Sequence, residues 1–183
     1  MNTSFVNVMK YLDSLTEGRA GYLEENEKYI LKHKANVEKF AAWLKENCPD
    51  LFKDIDVDLF DDMIKEHDDS KFSEEEFEPY AQKWFNNGGK TLEYEEAWKH
   101  HWTNNEHHPE FWLGEDMPYI YILEMICDWG SFSVESSDHR ELISFYYDKA
   151  KDDDEKNLSD NTKDIIEDIL YKIEEVLAQE ERK

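Results

Sequence analysis

Apolar residues return every three or four positions in each patterned stretch of this chain, and no stretch shows sustained every-other-residue alternation. A sequence patterned in this way buries its hydrophobic side chains by forming helices and packing their apolar stripes together. Phe5, Val8, Met9, Leu12 and Leu15 mark one face of a short first helix that Gly18 and Gly21 should end. From about Tyr22 to Asn47 a longer helix carries Ile30, His33, Val37, Phe40, Ala41 and Leu44 along one side, and Pro49 closes it. Leu59, Phe60, Met63 and Ile64 give a helix from Asp56 to about His67. Ser73 and Glu76 form a capping box for the next helix, which runs to about Phe85 and stops at Asn86-Asn87-Gly88-Gly89. Tyr94, Ala97, Trp98 and His101 share one side of a helix from about Glu93 to Asn104. Pro118 opens a helix that is apolar nearly all round and should end at Asp128. Two more helices are expected over about Ser137 to Lys149 and Thr162 to Ala178, joined by the charged run Lys151 to Lys156, which reads as a solvated loop. The expectation is an all-α, single-domain bundle of about seven helices over residues 1–183.

Charge narrows the possible partners. Forty-five acidic against 21 basic residues give a net charge of -24, which repels nucleic-acid backbones and anionic membrane surfaces. Aromatic residues make up 14% of the chain, too many for a disordered acidic segment, so a packed core is expected. The first residues lack the pattern of a signal peptide, and no apolar run approaches transmembrane length. Cys48 and Cys127 are too few for a disulfide framework, so the expected setting is a reducing cytoplasm. Cys127, with no activating pattern around it, reads as a small core residue. Trp98, Trp102, Phe111, Trp112 and Trp129 read as core before they read as a stacking platform.

The histidines carry the chemistry. Phe60, Met63 and His67 follow one another at intervals of three and four, so the His67 imidazole lies on a buried face, where it needs a partner. A backbone carbonyl is one such partner. A metal ion is another, because Asp68 sets a hard anionic oxygen beside the imidazole nitrogen. His33 and His101 also fall on apolar stripes, and Asp128 follows the buried face of Tyr121 and Met125. His100 is the neighbour of His101, and His107 and His108 form a second doublet. Each anchor lies on a different element, as in helical bundles whose metal ligands converge from facing helices.

In this order, His33, then His67-Asp68, then Asp128, the residues resemble the HD-domain superfamily of metal-dependent phosphohydrolases, an all-helical fold. That family's frequent His-Asp-x-Gly-Lys stands here as His67-Asp68-Asp69-Ser70-Lys71, with serine in place of glycine. The resemblance covers about residues 22–132, with the helices of about 137–178 following it. It implies that His33, His67, Asp68 and Asp128 hold a divalent transition metal, Mn, Fe, Ni, Co or Zn. It further implies that His101 with His107 or His108 supplies a second ion or meets the substrate. Lys71 would then face the substrate's phosphate, and Lys32, Lys34 and Lys99 flank the ligands as further candidates. Glu66, Asp69 and Glu124 are candidate proton carriers, Glu124 lying four residues before Asp128 and on its face. The stretch from Trp98 to Trp129 also resembles an uncharacterised family of bacterial and phage proteins.

The leading expectation is therefore a cytoplasmic phosphohydrolase acting on a nucleotide or another small phosphorylated compound through water activated by one or two ions. A di-iron oxygenase of the kind represented by inositol oxygenase and phosphonate-cleaving relatives uses a similar ligand order. A non-enzymatic acidic protein that imitates DNA on a basic partner fits the net charge but leaves the buried histidines unexplained.

Overall fold

The computed structural model describes residues 3–153, 156–180 and 182, and for residues 3–15 the backbone alone. Among the described residues the chain is all-helical, with seven α-helices and no strand. They are α1 (Thr3–Asn47), α2 (Val57–Glu66), α3 (Phe77–Phe85), α4 (Leu92–Thr103), α5 (Tyr119–Ser131), α6 (Arg140–Phe145) and α7 (Asp160–Glu180). Short 3-10 turns occupy Pro49–Phe52, Asp69–Phe72 and Pro109–Trp112, and a wide π-helical turn, Tyr146–Ala150, follows α6. No described helix is long and apolar enough to cross a membrane.

The first helix differs from the sequence expectation. Gly18 and Gly21 do not end it, and one helix continues to Asn47. A glycine inside a helix costs only about 1 kcal/mol against alanine. The side-chain face expected from Phe5, Val8, Met9, Leu12 and Leu15 lies outside the described residues.

Backbone contacts divide the chain into two compact units. One comprises residues 1–31 and 69–101. Within it Asn26 Nδ2 donates to the Phe77 carbonyl at 3.0 Å, Arg19 pairs with Glu78 at 2.5 Å, and the rings of Tyr80 and Tyr94 meet edge to face at 5.5 Å. The Ser73–Glu76 capping box does not form. Helix α3 starts at Phe77, and no side chain caps it. The Glu76 carboxylate instead turns to His100 and His101.

The other unit comprises residues 32–68 and 102–183. Its core joins Val37, Phe40, Ala41 and Leu44 of α1 to Phe60 and Ile64 of α2, to the apolar faces of α5, and to Ile166, Ile169, Leu170 and Ile173 of α7. Helix α5 is the hub, packing against α2, α6 and α7. It also runs past Asp128, the expected end, to Ser131. Gly130 permits this, because a Cβ there would overlap the Phe40 ring. Asp128 thus stands in the last turn of a buried helix. Cys48 and Cys127 are both free and buried, and burial pushes the Cys127 thiol well above its ordinary pKa.

Candidate metal centre

Four side chains expected to converge do so within the second unit. Helix α1 delivers His33, the C-terminus of α2 delivers His67 and Asp68, and α5 delivers Asp128. His33 Nε2 lies 3.3 Å from Asp68 Oδ2 and 3.1 Å from Asp128 Oδ1. His67 Nε2 lies 3.5 Å and 3.7 Å from the same two oxygens. Two nitrogens thus face two carboxylate oxygens around one point. Ligands at about 2.0–2.2 Å from a common ion, at tetrahedral or octahedral angles, stand roughly 2.8–3.6 Å from one another, so the observed spacings are close to those of a coordination shell.

Local backbone geometry sets these positions. Asp56 caps α2, its Oδ1 accepting from the Leu59 amide at 3.1 Å. At the other end Lys34 Nζ donates to the carbonyls of Lys65 at 3.0 Å and His67 at 2.6 Å. Asp68 then takes a left-handed conformation at φ 60°, which aspartate adopts more readily than most residues. Ser70, which replaces the glycine of the resembled motif, is not among the positive-φ residues, so the hydroxymethyl causes no backbone strain there. Its Oγ lies 3.2 Å from His101 Nδ1.

The nitrogens on the far sides of the rings are also engaged. Glu124 Oε1 is 3.0 Å from His67 Nδ1 and 3.2 Å from His107 Nδ1, so one buried carboxylate orients two imidazoles. Ser131 Oγ lies 3.3 Å from His33 Nδ1. With Nδ1–H of His67 donated to Glu124, the lone pair of Nε2 faces Asp68 and Asp128. This nitrogen is buried and has no hydrogen-bond partner among the described residues. A lone pair aimed at two anionic oxygens is repulsive unless positive charge sits between them.

Electrostatics point the same way. Burial by itself would lower the pKa of His67, but the charge of Asp68 and the interactions with Asp128 and Glu124 raise it to about 10. Burial likewise works against His33, and Asp128 and Asp68 outweigh it, so its pKa is raised. Asp128, which burial would raise, is held well below the ordinary carboxylate range by His33 and His67. Burial opposes the charge on Glu124 too, yet His107 and His67 keep its pKa low. The cluster holds positive charge strongly at its centre, and clustered histidines and aspartates of this kind could hold a metal ion.

The other expected residues are placed as follows. Asp68, His107 and His108 each bring one ligand atom within 4.8 Å of the others, with His107 Nε2 3.7 Å from Asp68 Oδ1. His101 is buried in the first unit, its Nδ1 2.9 Å from Glu76 Oε2, while His100 Nδ1 lies 2.7 Å from Glu76 Oε1. Burial would raise the pKa of Glu76, and the two histidines and Ser70 instead lower it. Lys34 serves the α2 terminus, and Lys32 pairs with Glu135. In the first unit, Lys71 Nζ sits 5.9 Å from the Tyr80 ring centre, and Asp69 and Lys99 are exposed. Glu66 is exposed at the end of α2. The sequence reading did not single out Ser131, Glu76 as a histidine partner, or the seventh histidine. That residue, His139, lies tilted against Trp43 with ring centroids 4.3 Å apart and its Nδ1 is 2.7 Å from Ser133 Oγ.

Over residues 23–172 the sequence matches the family described as "Family of unknown function (DUF5662)". The chain belongs to that family. The DUF5662 match contains His33, His67, Asp68, His107, Glu124 and Asp128 together, so the whole cluster lies inside the family's span. No curated protein and no solved structure matches the chain.

Proposed function

We propose that this DUF5662 protein is a metal-dependent phosphohydrolase acting on a nucleotide or another small phosphorylated compound. The observation that carries the metal half of the reading is the Nε2 of His67, buried, 3.5 Å and 3.7 Å from two carboxylate oxygens, with Nδ1 already committed to Glu124. The phosphohydrolase half rests on the resemblance of His33, His67-Asp68 and Asp128 to the HD-domain order. A divalent ion held by these four side chains would supply an activated water and polarise a phosphoryl oxygen.

The chain's own residues do the remainder. Glu124 fixes the His67 ring so that Nε2 points inward, and Ser131 does the same for His33. Asp128 is the least buried of the four, its side chain 16% exposed, so it marks the side from which substrate reaches the cluster. The exposed ring of Phe132, centred 5.6 Å from His33, stands beside that approach. The second oxygen of Asp68, facing His107, supports a version with two ions. That version also serves a di-iron oxygenase, the second reading.

The test is metal content and product formation. Protein stripped with a chelator and reloaded separately with Mn, Fe, Co, Ni or Zn should take up one or two ions and release phosphate from some member of a panel of nucleotides and sugar phosphates. Asp68→Asn keeps a residue suited to the left-handed backbone and should lose at least tenfold in metal affinity, together with the activity, at unchanged helicity. Full occupancy by iron with oxygen uptake and no phosphate release would favour the oxygenase. No metal uptake at all would sink both.

A further inference from the structure

The second unit holds a pocket beside the metal centre, sharing His67 and Glu124 with it and otherwise built from residues outside the ligand set. It is a half-open pocket of about 250 Å³. Glu66, Glu106 and Glu124 line it, and among the described residues no lysine or arginine does. Leu59, Met63 and Ile120 supply an apolar wall, and Tyr121 an aromatic one. His67 and His107 form the side shared with the metal centre.

This lining selects among ligand classes. An anion would meet three carboxylates against at most the His67 imidazolium, which already faces Asp68 and Asp128. A neutral molecule could donate hydrogen bonds to those carboxylates and meet Asn104 and Asn105, but it would leave the carboxylate charge unbalanced. A hydrated metal ion gains nothing from the leucine, methionine and isoleucine. An alkylammonium satisfies both halves, its charge against the carboxylates and its chain along the apolar wall, with the Tyr121 face available to the cation. We propose that this pocket binds a small organic cation of the primary alkylammonium class.

Glu124 gives the pocket a connection to the metal centre, because the carboxylate that lines it also orients His67 and His107. A cation seated there offsets the charge that Glu124 presents to His67 and so opposes an ion on the other side of the ring. By linkage each weakens the other equally, on the order of tenfold.

The probes are n-butylammonium and 1,4-diaminobutane, with 1-butanol as the neutral isostere, titrated into the full chain by calorimetry before and after metal loading. The expected result is saturable binding of both amines to the metal-free protein and none of the alcohol. Glu66→Gln and Glu106→Gln, both outside the ligand set and neither buried, should each weaken the amines several-fold. Glu141→Gln, which does not line this pocket, should leave binding unchanged. Saturating n-butylammonium should raise the metal's dissociation constant on the order of tenfold. Equal binding of the alcohol, equal loss in Glu141→Gln, or indifference to both pocket variants would overturn the assignment. So would a metal affinity that ignores the amine. The pocket and the metal reading fail separately, since amine binding to a protein that takes up no metal retains the first and removes the second.

Discussion

At His67 two kinds of positive charge compete for one nitrogen. In the metal-free protein the position is taken by a proton, and the folded pKa of about 10 lies above the ordinary value of 6.5. A raised basic group contributes stability that is complete below its unfolded pKa and is lost as pH climbs through its folded one. The metal-free protein should therefore lose stability between about pH 6.5 and pH 10. With an ion bound, the ion replaces that proton and the loss should disappear. Metal affinity should rise across the same window, by about tenfold per pH unit for each proton displaced. Thermal melts at several pH values, with and without saturating metal, check the sign. A metal-free curve that stays flat over this range would mean that His67 carries no extra proton.

Helix α5 shows what one element demands of its sequence. It carries Glu124, Asp128 and Ser131 toward the histidines, the last because it continues through Gly130, where the Phe40 ring occupies the space of a side chain. Gly130→Ala should cost about 1–3 kcal/mol through overpacking and should also weaken metal binding, because Asp128 is two residues away. Denaturant melts and a metal titration measure the two losses. The α5 stripe was legible from its spacing, as were His33 and His67, because burial of a histidine on a three-four stripe is a local property of the sequence. The helix boundaries were less so. Asp128 looks like the end of α5 until Phe40, from a distant part of the chain, is seen to pack against the Gly130 beyond it. Gly18 and Gly21 look like stops where the helix simply absorbs their cost. Ser73 and Glu76 have the spacing of a capping box, and that local signature could not reveal that His100 and His101 claim the same carboxylate.

Across the whole molecule, a net charge of -24 sets a background against which every local cation is read. Carboxylates that repel one another gain from screening, so the metal-free protein should melt at a higher temperature as sodium chloride rises from about 0.02 to 0.5 M, where the Debye length falls from roughly 20 to 4 Å. Metal affinity should fall over the same range, because salt weakens the field that attracts the ion. A melting temperature indifferent to salt would show that repulsion among the carboxylates does not limit the stability of the fold. The charge also bears on time. The His67 and Asp68 side chains are 0% and 2% exposed, and Asp128 offers the cluster its most open edge. An ion drawn in by the surface field is then enclosed by side chains that must part before it can leave. Its residence would be governed by how often the ends of α2 and α5 open, so a strong chelator in excess should strip the protein at a rate independent of the chelator's concentration.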